Sequence, residues 1–352
     1  MTKFTAKTPK SEASRRFFDF FIRVCIIFSS TAVVMIMAIS MANDRLSLFK
    51  PYRSADISAT DTDELAQKLY DAEIIDYPWL FSIYVKLNGG GEFNLNESVR
   101  VSSDMDYGQI LAVFNKNDKS SVKRITFPSG ATTDEIIDIF VENGMGTWKG
   151  FVEVINSYPF EYEFVSNLST SEGRKYRLDG YLYPDTYDFY TGRSEAYYIY
   201  KLLDRFDSIL GELDVDVNNI DEIVTIASMI QSSASRVGQY EYMSAVFHNR
   251  LNDPSTYPYL NCPASSAYGM GMGGVYIGVP DEEIKNFDSP YNTFLNEGLP
   301  PGAICNPDKS ALICATRPAN VKYKYFVTTE NGDVLFASNE TGHRQNLAKV
   351  NG

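Results

Sequence analysis

The sequence predicts an α+β protein with one N-terminal apolar helix, a small α/β module and a larger mixed α/β domain. Three features predict this. Val24–Ala42 runs for 19 residues without a charge. A capped helix-pair pattern occurs twice, 71 residues apart. Beyond the second copy, amphipathic helical stretches alternate with loops rich in Pro, Gly and Asn, and the tail alternates as strands do.

The apolar run is long enough to cross a hydrocarbon core as a helix. Six basic residues precede it (Lys3, Lys7, Lys10, Arg15, Arg16, Arg23) and three follow closely (Arg45, Lys50, Arg53). That excess places the N-terminus in the cytoplasm and the remainder outside, a single-pass protein of the cell membrane. A cleaved signal peptide is the competing reading, with Ser40-Met41-Ala42 as a passable small-residue site. The expected divisions are a cytoplasmic tail over 1–23, a transmembrane helix over 24–42, a linker over 43–55, a small module over 56–120 and the main domain over 121–352.

Beyond the tail and anchor the chain holds 26 basic and 43 acidic residues, a net of −17. Such a surface repels nucleic acid and anionic lipid and leaves neutral, sugar-like partners, or solubility alone. Two His leave no basis for a His-based metal centre, and no organic cofactor is implied. The external Cys262, Cys305 and Cys314 are odd in number and lack CxxC spacing, so at most one pair forms, with Cys305–Cys314 the candidate.

In the small module, Asp61 with Glu64 forms a capping-box pattern, followed by Leu65 and Leu69 at helical spacing. In the second copy, Thr132 with Glu135 precedes Ile136, Ile139 and Phe140. Each leads to an aromatic-bearing second helix, near Trp79–Leu87 and Trp148–Ile155. Ser98–Ser102 and Val122–Phe127 alternate as strands, with a turn at Pro128-Ser129-Gly130. Residues 194–251 are mostly helical, strongest over Ile220–Ser233 and Tyr240–Leu251. A loop region over 286–318 holds a helix near Lys309–Thr316. Tyr323–Thr329 and Val334–Ala337 close the chain as strands.

The stretch 177–190, RLDGYLYPDTYDFY, places Tyr181, Tyr183, Tyr187 and Tyr190 beside Asp179 and Asp185. Flat aromatic faces next to hydrogen-bonding groups suit pyranose rings. A Tyr-rich core edge fits the same residues.

That stretch resembles the EGYLFPDTY segment of the YceG-like endolytic murein transglycosylases. IASMIQSSA at 226–234 is similar to their LASIVEKEA helix, and AVFHNRL at 245–251 to their GVFLNRL. SPYNTFLNEGLPPGAICNP at 289–307 is similar to SPYNTYLHKGLPPGPIANP, the most specific match. YKYFV at 323–327 and FASNETGH at 336–343 resemble the closing strand and final histidine. Order and intervals agree over everything after the anchor, and 56–120 sits where that family has a LysM-like module.

The resemblance implies a domain that cleaves MurNAc–GlcNAc bonds in nascent peptidoglycan strands without water, leaving 1,6-anhydroMurNAc ends, with a cell-wall synthase as a possible partner. One Glu protonates the leaving oxygen and then helps the C6 hydroxyl attack. Gln231 stands at that position here, and Ser233 at the position of the second Glu. A carboxamide cannot serve as acid or base, though it still donates and accepts hydrogen bonds. Replacing a general acid by its amide removes ~10²–10⁴-fold of rate. LQxDPT is matched by Leu260-Asn261-Cys262-Pro263-Ala264-Ser265, so Pro263 replaces Asp and Asn261 replaces Gln. The segment 265–279 is Gly-rich and unlike the family's.

Asp179 is the first candidate for a substitute acid, ahead of Asp185 and Glu241. His248 and His343 read as packing or surface residues. Tyr181, Tyr183, Asp185, Tyr187, Asn249, Asn261, Tyr291 and Asn292 are the candidate glycan contacts. Three functions follow: an active transglycosylase with its acid supplied elsewhere, a non-catalytic relative that binds glycan or synthase, or a hydrolase with two carboxylates roughly 5–9.5 Å apart.

Overall fold

The computed structural model describes residues 12–47, 50, 53–88, 98–103, 105–114, 122–168, 172–213, 219–273, 276, 280, 282–329 and 331–351. The tail residues Lys3, Lys7 and Lys10, and much of the Gly-rich 265–279 stretch beyond Gly273, lie outside them. The chain divides into two compact units, Met1–Asp118 and Lys119–Gly352.

The first unit opens with α1 (Glu12–Leu46). Its portion from Phe20 to Leu46 is long and apolar enough to cross a membrane, with a mean hydropathy of 2.3. Ile26, Phe28 and Val34 stand open on it, as on a lipid-facing helix; a signal sequence has the same features. The expected linker over 43–55 is taken up by elements at its two ends. The α1 helix continues to Leu46, and β1 (Ser54–Ile57) already belongs to a sheet.

The cause is Asp44, which is 1% exposed. Its carboxylate binds Lys50 and the Tyr107 hydroxyl, and accepts from the backbone N–H groups of Asp76 (2.7 Å) and Tyr77 (3.0 Å). A buried carboxylate with four donors is fully satisfied, so the helix end is welded into the unit. These partners lie up to 63 residues away, beyond the range of any local pattern.

After β1 come α2 (Thr62–Asp71), α3 (Pro78–Asn88), β2 (Val99–Ser102) and α4 (Tyr107–Phe114). Strands β1 and β2 pair antiparallel, from Ser54 opposite Ser102 to Ile57 opposite Val99. Leu65, Leu69, Phe81, Val101 and Ile110 fill the core, each contributing about 1.5–3 kcal/mol by leaving water. Asp61 caps α2 by accepting from Asp63 and Glu64 N–H. Glu64 does not complete the box; its side chain takes the Thr60 N–H at 2.7 Å instead.

The second unit repeats this order. Strand β3 (Val122–Thr126) precedes α5 (Thr133–Glu142) and α6 (Trp148–Ser157). A short α7 (Glu163–Ser166) follows, and β4 (Thr186–Tyr190) returns antiparallel to β3, with Val122 opposite Tyr190. Here the capping box is complete: Thr132 accepts from Glu135 N–H, and Glu135 accepts from Thr132 N–H at 2.7 Å. Phe127, Phe140, Phe151, Phe189 and Tyr198 pack as an aromatic cluster between helices and strands.

The remainder is helical: α8 (Glu195–Leu213), α9 (Ile220–Ser233), a 3₁₀ turn at Val237–Gln239, α10 (Tyr240–Leu251), α11 (Pro263–Gly269), α12 (Glu282–Asn286) and α13 (Lys309–Thr316). Strands β5 (Tyr325–Thr328) and β6 (Val334–Ala337) form an antiparallel pair, and α14 (Glu340–Asn351) closes the chain. Helix α9 is apolar or small nearly all round (Val224, Ile226, Ala227, Met229, Ile230) and is enclosed by α10, α11 and α13.

Candidate functional site around the last turn of helix α9

The buried run of α9 ends in Gln231, Ser232 and Ser233, the positions that carry the expected chemistry. Ser232 and Ser233 are buried and Gln231 is half-buried. Ser233 O accepts the Thr328 hydroxyl at 3.2 Å, and Ser228 O accepts the Cys305 thiol at 3.4 Å. The turn is thereby fixed from two sides, and the Gln231 side chain leaves a rigid base.

Both ends of the Gln231 carboxamide are engaged. Its Nε2 donates to Tyr240 Oη at 2.9 Å, and its Oε1 accepts from the Asp308 N–H at 3.3 Å. Tyr240 opens α10 and is buried; burial and the Asp308 charge push its phenol above the usual range, so it stays protonated. Asp308 is the N-cap of α13, where one carboxylate oxygen accepts from Ala311 N–H at 3.0 Å. The side chain is half-buried, and its second oxygen has no partner among the described residues.

The Pro128–Gly130 turn covers the same amide. Gly130 has φ +81, and a Cβ there would lie 3.2 Å from Gln231 Cγ. Asn306 holds the turn in place. Gly130 N–H donates to Asn306 O, the Asn306 side chain donates to Ala131 O, and Leu182 N–H donates to Asn306 Oδ1, all at 2.9–3.0 Å. Asn306 thus joins the turn, the aromatic 178–185 stretch and the approach to α13. A cavity of about 140 Å³ opens beside this turn, lined by Thr132, Asp134, Glu135, Lys175 and Tyr268.

The expected substitute acid, Asp179, is sealed away. It is 2% exposed. Its oxygens accept from the Thr133 hydroxyl (2.6 Å), the Tyr268 hydroxyl (2.8 Å) and the Tyr176 N–H (3.2 Å). Burial raises its pKa to about 6, against the lowering by these donors and Arg174. The value suits a proton carrier, but every acceptor site faces inward and none meets Gln231. Sequence reasoning found the residue and misplaced its role: it ties α5, α11 and the aromatic stretch together. Glu241 is exposed, and Asp185 is paired with Arg205 at 2.8 Å.

A YceG-like family model matches residues 57–349. This chain belongs to the YceG-like family. It is 25% identical over 316 residues to an endolytic murein transglycosylase of Streptococcus pneumoniae, covering 82% of this chain and 56% of the relative. The chain thus spans little more than half the length of that relative. A Bacillus subtilis protein with the same name is 25% identical over 300 residues, covering 82% of this chain and 81% of its own. The crystal structure of a YceG-like protein from Listeria monocytogenes superposes with a TM-score of 0.52 at 25% identity, over 84% of this chain and 99% of that one.

Among YceG-type positions, several expected glycan contacts turn out to be internal supports. Tyr181 is 0% exposed, stacks on Phe164 and donates to Asp221 at 2.9 Å. Tyr187 donates to Tyr183 O at 2.6 Å, and Tyr183 lies buried under Arg205. Their alternation is that of β4 and its lead-in, with Tyr187 and Phe189 facing the core. Tyr291 packs edge-on to Tyr268 and accepts from Lys175 N–H at 3.2 Å. Asn292 is wholly buried and donates to the Phe287 and Lys285 carbonyls (2.7 and 3.0 Å). Asn249 binds the Val321 and Tyr323 carbonyls, both at 2.9 Å. None of these offers a free aromatic face or amide.

Asn261 differs: it is half-exposed in the left-handed region at φ +53, with its N–H on Thr293 O at 3.0 Å. His248 packs against Ala315 O at 2.8 Å, as its position suggests. Cys305 and Cys314 are free thiols, so the candidate pair does not form; Cys305 instead accepts from the Ser232 hydroxyl at 3.2 Å.

The arrangement can bind and orient. An amide fixed by a phenol and a backbone N–H presents a stable polar surface, and Asp308 adds one carboxylate beside it. Sequence reasoning missed Asp308 and Asn306, although Asn306 lies within the most specific matching stretch and Asp308 follows directly on it.

Proposed function

We propose that this YceG-family protein engages peptidoglycan glycan strands at the membrane through a transglycosylase scaffold in which Gln231 holds the strand rather than protonating it. The observation that carries this is the doubly bonded Gln231 carboxamide. It occupies the position of the expected acid and is fixed by Tyr240 and the Asp308 N–H. An amide there cannot give and take a proton near neutrality. The sealed state of Asp179 supports the same conclusion.

The exposed apolar α1 supports a single-pass anchor with the main domain outside, the basic excess before it giving the direction. The strand–helix–helix–strand order of residues 54–102 supports the LysM-like reading of the small module, as a second glycan contact. A cell-wall synthase is the partner that fits a membrane-held protein acting on new strands.

One observation favours a catalytic alternative. Asp308 places an uncommitted carboxylate oxygen at the site, next to the amide its own N–H binds. In that reading Asp308 is the general acid and the protein leaves 1,6-anhydro ends.

The test uses full-length protein in detergent, the Gln231→Glu variant and the Asp308→Asn variant, each incubated with uncrosslinked glycan strands. Products are read by mass spectrometry for 1,6-anhydroMurNAc, and binding by co-sedimentation with sacculi. Binding without cleavage in the native protein, with cleavage gained in Gln231→Glu, is the expected result. Cleavage by the native protein that Asp308→Asn abolishes would replace it with the catalytic alternative.

A further inference from the structure

A second cavity, of about 480 Å³, adjoins the same helical turn and has Asn261 in its lining. Thr328 lines it and donates to Ser233 O at 3.2 Å, so its wall is joined to the α9 turn two residues from Gln231. Arg250 forms part of its lining at 5% exposure. The guanidinium donates to Lys324 O (2.6 Å) and Tyr259 O (2.8 Å) and lies over the rings of Tyr257 and Tyr325. Among the described residues it has no carboxylate partner, and its Nη2 adds no hydrogen bond there to those of Nε and Nη1.

A buried cation without a counter-ion is costly, and a bound anion would relieve that cost. Lys285 adds a second cation to the lining, although its ammonium also meets Glu282 at 3.1 Å. The carboxylate that shares the cavity, Glu340, is engaged by Arg344. His343 stacks on Tyr325, and its Nδ1 is buried without a partner. Burial and the neighbouring Arg250 hold this imidazole below its ordinary pKa, so it is neutral near pH 7. The opposite wall is apolar, with Phe294, Phe326, Val327 and Leu347.

We propose that this cavity binds the free carboxylate of a short peptide, with Arg250 as its anchor and the aromatic and aliphatic wall receiving the peptide's small side chains. The volume falls within the range of small-molecule sites and is larger than a lone carboxylate needs. The proposal rests on the glycan reading above. Peptidoglycan carries short peptides on its muramic acid residues, and a strand held at Gln231 would bring such a branch to the neighbouring wall. The lactyl carboxylate of peptide-free muramic acid is the other source of the same chemistry.

The experiment titrates full-length protein in detergent with muramyl dipeptide, with its C-terminal carboxamide and with N-acetylmuramic acid, by calorimetry. The free acid should bind, the carboxamide and N-acetylmuramic acid at least ~10-fold more weakly, as for loss of a charge-assisted contact, and salt should weaken the acid alone. Leu347→Trp, which adds bulk to the cavity wall and keeps Arg250 itself unchanged, should abolish binding at unchanged thermal stability; Lys285→Gln should weaken it. Equal binding of acid and carboxamide, or binding indifferent to Leu347→Trp, would overturn the proposal. N-acetylmuramic acid binding as tightly as the dipeptide would transfer the site to the lactyl group and overturn it too. Peptide-free glycan that sediments the protein while the dipeptide fails to bind would sink this inference and leave the glycan reading standing. Dipeptide binding without any glycan binding would do the reverse.

Discussion

Gln231 and Tyr240, nine residues apart at the junction of α9 and α10, are joined by a 2.9 Å hydrogen bond from carboxamide to phenol oxygen. The contact fixes the orientation of the amide, since Nε2 is the donor and Oε1 is left to the Asp308 N–H. Tyr240→Phe removes the acceptor and leaves the half-buried amide to water. A loss of about 1 kcal/mol is expected, measured by urea unfolding, with glycan co-sedimentation reduced because the amide is no longer held.

Asp179 makes stability depend on pH in an unusual direction. Burial lifts it from 3.8 to about 6, so between these values the folded state binds more protons than the unfolded one. Its contribution is therefore present in full below about pH 4 and is lost as pH rises through 6. The difference corresponds to ~3 kcal/mol. Urea unfolding at pH 4, 5, 6 and 7 should show Asp179→Asn losing this downward slope relative to the native protein. Parallel curves for the two would refute the assignment.

Arg174 and Asp221 form a two-pronged pair, both contacts at 2.9 Å, with side-chain exposures of 6% and 19%. Tyr181 donates to the same carboxylate. Asp221→Asn leaves the guanidinium buried without a counter-charge and should cost ~3–5 kcal/mol. Arg174→Met in the same background should recover part of that loss, since the stranded charge is removed. Chemical denaturation of Asp221→Asn, Arg174→Met alone and the double variant completes the cycle.

Gly180 lies beside Asp179 at φ +91, where a Cβ would fall 2.4 Å from Val224 Cγ1 and 2.5 Å from Ala303 Cβ. Strain and overlap act together, so Gly180→Ala should cost at least ~2 kcal/mol. The loss should appear as a lower melting temperature. Gly192 has φ +73 and nothing within 4 Å, so Gly192→Ala meets strain without overlap and should cost less.

Local chemistry was legible and long-range chemistry was not. Thr132 with Glu135 announces the start of α5 because the box closes within four residues. Val334–Ala337 appears as read because alternation is a property of the segment itself. The 177–190 stretch shows the limit. Its tyrosines suit a sugar as well as they suit a core, and only the pairing of β4 with β3, 60 residues away in sequence, sends Tyr187 inward. Asp179 was visible as a carboxylate near the matching motifs. That Thr133, Tyr176 and Tyr268 close over it depends on three segments meeting, which spacing cannot convey. Gln231 was legible because one amide in place of one acid is a change of chemistry rather than of shape.

The Asp44 weld has a consequence for reach. A free stretch over 43–55 would be a leash of up to ~45 Å, letting the small module sample a deep slab above the bilayer. With α1 running on to Leu46 and Asp44 locked to Lys50, Asp76, Tyr77 and Tyr107, that slack disappears. Asp44 follows Ala42 by two residues, a rise of ~3 Å along the helix. If α1 is the anchor, the small module rides at the lipid surface like a buoy without a chain, and the glycan contact proposed for it would be limited to strand emerging there rather than the mature wall above.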